Sequence, residues 1–254
     1  MGRVWFRLCL ILGRLLRSGT YSNTRIVHEN GVTQVRKQRV SWAPFLIALG
    51  GPLMRVLNTG VRVLPQREWE ERERLIYQSL RNSAIRLDGD GMLVLPHLAG
   101  TTLASLLEDR ALERSRRHRA IELAVISLAT FHRLGLTHGD AMAENVMVDL
   151  EAGVAHWFDF ETVHDPTRPM DWRRADDLRA LLATCLVRTE PRRLDETTRL
   201  ILNAYTDESV APHLAASFAS VLRPSLVFHL GQAALSWQHH REIARLLRER
   251  SGSG

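Results

Sequence analysis

A predicted β-hairpin near the middle of the chain most restricts how this sequence can fold. Residues 146–148 form a short apolar run directly after Asn145, and residues 154–158 form a second one. The two runs are separated by a short segment in which residues 151–153 form a turn with a glycine, and this pattern is typical of two paired antiparallel strands. We therefore expect Asn145 and Asp159, at the outer ends of the two runs, to lie side by side.

Three oxygen-bearing side chains surround this hairpin. Asp140 precedes Asn145 by five residues, and Asp159 follows Asn145 by fourteen. Amide and carboxylate oxygens are hard ligands that suit magnesium, so Asn145 and Asp159 are the predicted metal ligands. Asp140 is predicted to act either as a base or as an orienter for an acceptor hydroxyl, and His138 is expected to support the loop backbone rather than take part in the chemistry. The alternative is a surface turn that carries unrelated acids.

Lys37 is unusual in this composition. The chain contains 34 lysine and arginine residues, and Lys37 is the only lysine. Because arginine is used wherever a positive charge alone is needed, Lys37 is predicted to lie where a compact ammonium group is required. It falls in residues 32–40, which follow an Asn30-Gly31 hairpin signal and are predicted to form a strand. A single leftover surface lysine is the alternative.

A helix is predicted to supply a carboxylate partner for Lys37. Residues 67–80 contain no glycine or proline and are rich in strong helix formers. Apolar residues stand three, four and seven positions after Glu73 and therefore share its face. This face is predicted to pack inward and carry Glu73 towards Lys37. Glu70, one turn earlier, is the reserve candidate, and a wholly exposed charged helix is the alternative.

The rest of the chain predicts strands in its first part and helices in its second. The predicted elements are a hairpin over residues 20–40, a buried strand over 91–96, helices over 115–134 and 174–187, and a helical region over 195–249 with a break near Pro224. The fold class expected from this order is α+β.

Composition narrows the function classes. At 254 residues the chain fits one large domain or two lobes, and Cys9 and Cys185 form neither a metal-binding pattern nor a disulfide framework. A reducing cytoplasm is the expected location. The net charge of +6 favours anionic partners, but the basic residues are scattered without an interleaved aromatic platform, so no nucleic-acid partner is expected.

Taken in chain order, these residues resemble the protein-kinase-like superfamily, whose active-site loop reads His-x-Asp-x4-Asn and is followed by Asp-Phe-Gly. Here the loop is His-Gly-Asp with Asn145, followed by Asp-Phe-Glu at residues 159–161. The sequence looks closest to lipopolysaccharide core (Kdo/heptose) kinases and related atypical kinases, and aminoglycoside-type phosphotransferases share this loop. The resemblance implies a two-lobed fold with a small β-rich N-lobe and a mainly helical C-lobe. It also implies ATP- and Mg²⁺-dependent transfer of the γ-phosphate to a hydroxyl.

The resemblance also implies a role for each matching residue. Asp140, Lys37 and Glu73 would be the catalytic residues, with Lys37 on the α- and β-phosphates. An acid of the helix over 174–187 would brace the active-site loop, and Asp177 is the first choice and Asp176 the alternative. The residues implied in nucleotide binding are Lys37, Pro96, His97 and Leu98 (the last three at the hinge that holds adenine), Asn145 and Asp159.

Three departures from the family pattern bear on activity and acceptor. No glycine-rich phosphate loop is present, and residues 18–23 are the only candidate to cover the phosphates. Glu161 replaces the glycine of Asp-Phe-Gly. Asp177 follows Asp159 by only 18 positions, which favours a lipopolysaccharide, glycan or other small-molecule acceptor over a peptide. An atypical serine/threonine protein kinase and a pseudokinase or ATP-binding scaffold are the two alternatives.

The predicted organisation has four parts. A basic amphipathic helix is expected over residues 1–17, the N-lobe over 18–96, the C-lobe over 97–250, and a disordered tail over 251–254. The first helix is too short and too charged to span a bilayer. It either contacts the inner face of a membrane through residues 3–17, as a peripheral anchor, or packs on the N-lobe, and both interpretations stay open.

Overall fold

The computed structural model describes residues 22–29, 31–45, 47, 60–81, 85–219, 243 and 245–249. The predictions for residues 1–17, for Pro224 and for the tail over 251–254 lie outside the described residues. The chain is a mixed α and β protein, in which a small β-sheet region precedes a mainly helical region.

Nine strands are present in the described part of the chain. They are β1 (Ser22–Glu29), β2 (Val32–Arg39), β3 (Val61–Val63), β4 (Arg86–Asp88), β5 (Met92–Pro96), β6 (Thr101–Thr102), β7 (Val146–Asp149), β8 (Val154–Trp157) and β9 (Thr162–His164). The α-helices with described bounds are α1 (Gln66–Arg81), α2 (Leu103–Glu108), α3 (Arg114–Arg133), α4 (Met170–Leu186), α5 (Leu194–Ala204) and α6 (Ala211–Ala219). Residues 43–45, 47, 243 and 245–249 are also helical.

The largest sheet carries the predicted first hairpin. Its order is β1-β2-β5-β4, and every neighbouring pair is antiparallel. Glu29 pairs with Val32 across the turn, and Gly31 has a φ of 75°, as the predicted two-residue turn requires. Strand β2 is an interior strand, so a side chain on its inner face, such as that of Lys37, is removed from solvent.

The predicted second hairpin is also confirmed. Strand β7 pairs with β8 in an antiparallel register that sets Val146 opposite Trp157, and β6 joins the outer side of β7. Both residues of that pair are buried in the main core, which also contains residues of α3 and α4. The register therefore fixes the ends of the hairpin, where Asn145 and Phe158 lie.

Helix α1 buries the predicted face. Ile76 and Tyr77 are buried and Leu80 is partly buried, and all three belong to or pack against the main core. Glu73 is on the same face and is fully buried. Because a carboxylate is costly to bury without partners, its position indicates that the partners come from other elements.

The helical region differs from the prediction in one place. A continuous helix was expected from residue 195 to a break near Pro224, but α5 ends at Ala204 and a loop separates it from α6. The buried side chain of Tyr205 bonds to His132 of α3, with 2.6 Å between the phenolic oxygen and Nδ1. This long-range bond holds the chain extended at Tyr205, which local helix propensity does not foresee. None of the helices in the described ranges is both long and apolar enough to cross a bilayer.

Candidate active site

Lys37 lies at the centre of a group of three carboxylates. Its Nζ is 2.5 Å from Oδ1 of Asp159, 2.9 Å from Oε1 of Glu161 and 3.5 Å from Oε1 of Glu73. Burial alone lowers the pKa of Lys37, but the attraction of the three carboxylates raises it above its ordinary value. The ammonium group is therefore charged throughout the physiological pH range.

Glu73 is the helix carboxylate that reaches Lys37. Its Oε1 also accepts hydrogen bonds from Nε1 of Trp69 at 3.1 Å and from the backbone N–H of Phe160 at 3.2 Å. Burial raises the pKa of Glu73, and Lys37 acts in the opposite direction. Glu70, the reserve candidate, is half-buried and bonds instead to Gln66. The structure thus places Glu73, not Glu70, beside Lys37.

Asp159 has an unusual backbone conformation. It is the one non-glycine residue in the described ranges with a positive φ, at 68°. Aspartate tolerates this left-handed region better than most residues, and such conformations are concentrated at functional sites. The next residue, Phe160, is fully buried and stacks on Phe131 with 5.7 Å between ring centroids. Phe160 anchors the segment, and the backbone turn directs Asp159 towards Lys37.

The protonation states of Asp159 and Lys37 support each other. Burial raises the pKa of Asp159, but the charge of Lys37 lowers it by a larger amount. The net shift of the pKa is therefore downward, and the carboxylate is ionised. The side chain of Asp159 is 38% exposed, whereas that of Lys37 is 6% exposed. Asp159 is therefore both ionised and accessible from the cleft.

Asp140 and Asn145 are held together within the loop. Nδ2 of Asn145 donates to the backbone oxygen of Asp140 at 2.8 Å and to its Oδ2 at 2.9 Å. The backbone oxygen can only accept, so the amide nitrogen must face Asp140. No described residue donates to Oδ1 of Asn145, so this oxygen is available to a cation. The backbone N–H of Phe158 bonds to the carbonyl of Asn145 at 3.0 Å, which joins this loop to the Asp159 segment.

Asp140 has a pKa suited to a base near neutral pH. Burial and the neighbouring charge of Asp159 raise it to about 8, while the hydrogen bond from Asn145 acts in the opposite direction. Enzymes often tune a general base by burial and by like charges in this way.

Asp177 braces the loop that carries Asp140. Its Oδ2 accepts from the backbone N–H of His138 at 2.7 Å and contacts Nε2 of His132 at 3.0 Å, and its Oδ1 accepts from the backbone N–H of Gly139 at 2.8 Å. Burial raises the pKa of Asp177, but the surrounding histidines lower it well below its usual range. The alternative acid, Asp176, pairs with Arg179 and His164 instead.

His138 connects the loop to the Asp159 segment. Its Nε2 donates to the carbonyl oxygen of Phe158 at 2.9 Å, and its Nδ1 accepts from the backbone N–H of Asp140 at 3.3 Å. Burial lowers the pKa of His138 to about 4, so the ring is neutral. These contacts agree with the predicted supporting role.

A cleft of about 180 Å³ opens beside Lys37. The three predicted hinge residues, Pro96, His97 and Leu98, line it together with Glu73 and Asp159. Its remaining lining residues come from the four-stranded sheet, from β7, from α1 and from the segment just after β8; they are Thr24, Ile26, Val35, Lys37, Tyr77, Leu95, Met147 and Phe158. Asp140 and Asn145 do not line the cleft itself. Phe158 and Asp159 line it and connect it to these two residues.

The predicted phosphate cover is only partly described. Residues 18–21 lie outside the described residues, and Ser22 and Asn23 begin strand β1. Further along β1, Thr24 and Ile26 line the cleft. This strand therefore supplies one wall of the cleft.

The sequence analysis did not predict two contacts of this site. Glu161 was noted only as a replacement for glycine, yet it is buried and touches Lys37. No local pattern in the sequence marks this contact, because the left-handed backbone at Asp159 interrupts the strand alternation that would otherwise relate Asp159 to Glu161. The second is Arg72, whose guanidinium donates to the carbonyl of Thr137 at 2.5 Å and ties α1 to the loop.

Comparison with known proteins gives no match, since no family model fits the chain and no curated protein is significantly similar to it. Within the described ranges, no group of three or more His, Cys, Asp or Glu side chains is arranged to hold a metal ion. The predicted magnesium ligands are of a different kind, one amide and one carboxylate.

Proposed function

We propose that the protein is an ATP- and Mg²⁺-dependent phosphotransferase with a two-lobed protein-kinase-like fold, which moves the γ-phosphate to a hydroxyl group. The observation that carries this proposal is the convergence of Lys37 with Glu73 and Asp159 at one end of a cleft. A buried ammonium group beside a cleft is suited to bind phosphates, which are anionic.

The residues fit a magnesium ion. Lys37 contacts three carboxylates, so the site holds more acids than this ammonium balances. Leaving carboxylates poorly compensated at a partly buried site is costly, and a divalent cation removes the excess. Asn145 and Asp159 would hold the ion, through the available amide oxygen and the exposed part of the carboxylate. When bound, magnesium neutralises phosphate charge during transfer.

Each residue then has a chemical task. Lys37 binds the α- and β-phosphates, and Glu73 keeps the ammonium in position. Asp140 accepts the proton of the acceptor hydroxyl as that oxygen bonds to the γ-phosphorus and the bond to the β–γ bridging oxygen breaks, which releases ADP. The raised pKa of Asp140 favours the proton transfer. Asp177 holds the loop so that Asp140 stays in place. His97 and Leu98 line the cleft, and their backbone groups would contact adenine.

The geometry after Asp159 supports a small acceptor. Strand β9 ends at His164 and α4 begins at Met170, so only residues 165–169 connect them. A peptide substrate needs a longer platform at this place in kinase-like folds. We therefore propose a lipopolysaccharide, glycan or other small-molecule acceptor.

Labelled ATP incubated with fractionated lysate tests the proposal, with the labelled fraction identifying the acceptor class. We expect Asp140→Ala to abolish transfer while nucleotide binding is retained, because the residue acts on the acceptor and not on ATP. Lys37→Arg should also lose most activity, because a guanidinium cannot fill the place of the compact ammonium. Normal turnover by Asp140→Ala would contradict the assignment, and label on a protein fraction would indicate an atypical protein kinase.

An ATP-binding scaffold without turnover is the second candidate. The contact between Glu161 and Lys37 favours it, because a third carboxylate competes with the phosphates for the ammonium group. A magnesium-dependent nucleotide shift in melting temperature, with no label transferred to any fraction, would support the scaffold and exclude the transferase.

A further inference from the structure

A second concave site lies in the helical region and is rich in arginine. Its cavity is about 820 Å³ and is lined by ends of α2, α3 and α4 and by the segment before α5. Five arginines face two glutamates there: Arg110, Arg114, Arg117, Arg188 and Arg193 against Glu108 and Glu190. We call this site the arginine pocket.

Not all of this charge is balanced by carboxylates. Arg193 lies near Glu190, and Arg114 pairs with Glu196 outside the pocket lining. By contrast, Arg117 donates only to backbone oxygens, at 2.9 and 3.0 Å, and no carboxylate of the described residues pairs with Arg110 or Arg117. The guanidinium of Arg110 is therefore available to an anion, and guanidinium groups bind phosphate and carboxylate with paired hydrogen bonds. In Arg117, Nη2 is used by the two carbonyls and Nε is buried, so this residue offers its positive charge and Nη1.

Arg188 connects the pocket to the loop of the active site. Its side chain is 13% exposed and bonds to Glu108 at 2.8 Å and to Glu144 at 2.9 Å. Glu144 immediately precedes Asn145, and its charge is one of the influences on the pKa of Asp140. The arginine pocket thus borders the loop on which Asp140 lies.

A second bond fixes the same loop to the pocket wall. Oγ1 of Thr184 accepts from the backbone N–H of Ala143 at 3.0 Å, and the carbonyl of Thr184 accepts from Nη1 of Arg188 at 2.9 Å. The end of α4 therefore holds both the loop and one wall of the pocket, so their relative position is set by packed structure.

We propose that the arginine pocket binds an anionic group, phosphate or carboxylate, that the acceptor already carries, while Asp140 addresses a hydroxyl of the same molecule. This inference rests on the proposed phosphotransferase function and narrows its acceptor to an anionic glycan or small molecule. Arg110 and Arg117 are the binding residues, and Arg188 is a positioning residue that acts through Glu144.

Direct binding tests the pocket without knowledge of the acceptor. Inorganic phosphate and, separately, glucuronate are titrated by calorimetry into the wild-type chain, Arg110→Gln/Arg117→Gln, and the control Arg116→Gln/Arg119→Gln. The control removes the same charge from α3 outside the pocket, where Arg116 pairs with Glu151. We expect the pocket variant to bind about tenfold more weakly and the control to be unchanged. Equal affinity in all three proteins would overturn the proposal, and the stronger of the two ligands identifies the anion.

A kinetic measurement separates this inference from the proposed function. Lysate is fractionated on an anion exchanger before incubation with labelled ATP. We expect acceptor activity in the retained fractions, with a raised KM and a nearly unchanged kcat in Arg110→Gln/Arg117→Gln. Acceptor activity confined to the unretained fraction would overturn the pocket proposal and leave the transferase standing. Label in no fraction would refute the transferase, and the calorimetry would then still decide whether the pocket binds anions.

Discussion

Oε1 of Glu161 lies 2.9 Å from Nζ of Lys37, so this carboxylate contributes directly to the charge around the ammonium group. Both side chains are nearly buried, at 10% and 6% exposed. In such surroundings the interaction is screened less than at the surface. Under the proposed function, the phosphates of a nucleotide would therefore compete with Glu161, as well as with Asp159, for the ammonium group.

We expect Glu161→Gln to bind magnesium-free ADP more tightly, by about tenfold, because one negative charge near the phosphates is removed. Fluorescence or calorimetric titration in the presence of a chelator measures the change. Glu151→Gln, an exposed carboxylate with no contact to Lys37, is the matched control. Weaker ADP binding by Glu161→Gln in the absence of magnesium would contradict this view of the residue.

Asp140 is expected to give the reaction its pH dependence. Because the base must be ionised and its pKa is raised to about 8, kcat/KM for the acceptor should rise with pH and level off above about 8. Neither Lys37, whose pKa is raised above its ordinary value, nor His138, with a pKa of about 4, titrates near this range. Rates measured between pH 6.5 and 9.5 at saturating nucleotide test this, and a flat or falling profile would be inconsistent with Asp140 as the base.

Asp177→Ala should destabilise the protein and displace the active-site loop. The substitution leaves the buried N–H groups of His138 and Gly139 without their acceptor, and we expect the free energy of unfolding to fall by about 3 kcal/mol or more. Asp171→Ala, on the same helix but 40% exposed, should cost less than about 1 kcal/mol. Urea unfolding of both variants provides the comparison, and equal losses would show that Asp177 is not a special anchor.

A side chain at Gly100 is expected to destabilise the protein, because the backbone of Val148 approaches this glycine closely and not only because of its positive φ. A Cβ atom at Gly100 would lie 2.2 Å from the carbonyl oxygen of Val148, so the segment after the hinge could not stay against β7. Gly135 also has a positive φ, but a Cβ atom there meets nothing within 4 Å. We expect Gly135→Ala to cost about 1 kcal/mol of unfolding free energy, for the strained backbone alone.

Gly100→Ala should cost at least about 2 kcal/mol more than Gly135→Ala, because overlap with backbone is added to the same strain. It should also weaken nucleotide binding, since His97 and Leu98 lie just before the displaced residue. Chemical unfolding and nucleotide titration measure the two effects. Equal unfolding free energies for the two variants would contradict the argument from close approach.

Local patterns in the sequence were sufficient for most elements near the site. Helical spacing predicted that Glu73 shares a face with apolar residues, and the structure buries that face. Two apolar runs around a turn predicted the hairpin of β7 and β8. Such predictions succeed because the periods of a helix and a strand are properties of the local backbone, which the pattern of apolar residues records directly.

The sequence by itself determined the two hairpins, the buried strand β5 and the inward face of α1, since these depend on neighbours in the chain. Only the tertiary structure decided which inward charges meet: Asp177 rather than Asp176 at the loop, Glu161 beside Lys37, and Arg188 beside Glu144. A buried charged side chain pairs with the opposite charge that the packing of distant elements brings close to it. The distance between two such side chains cannot be predicted from a local sequence pattern.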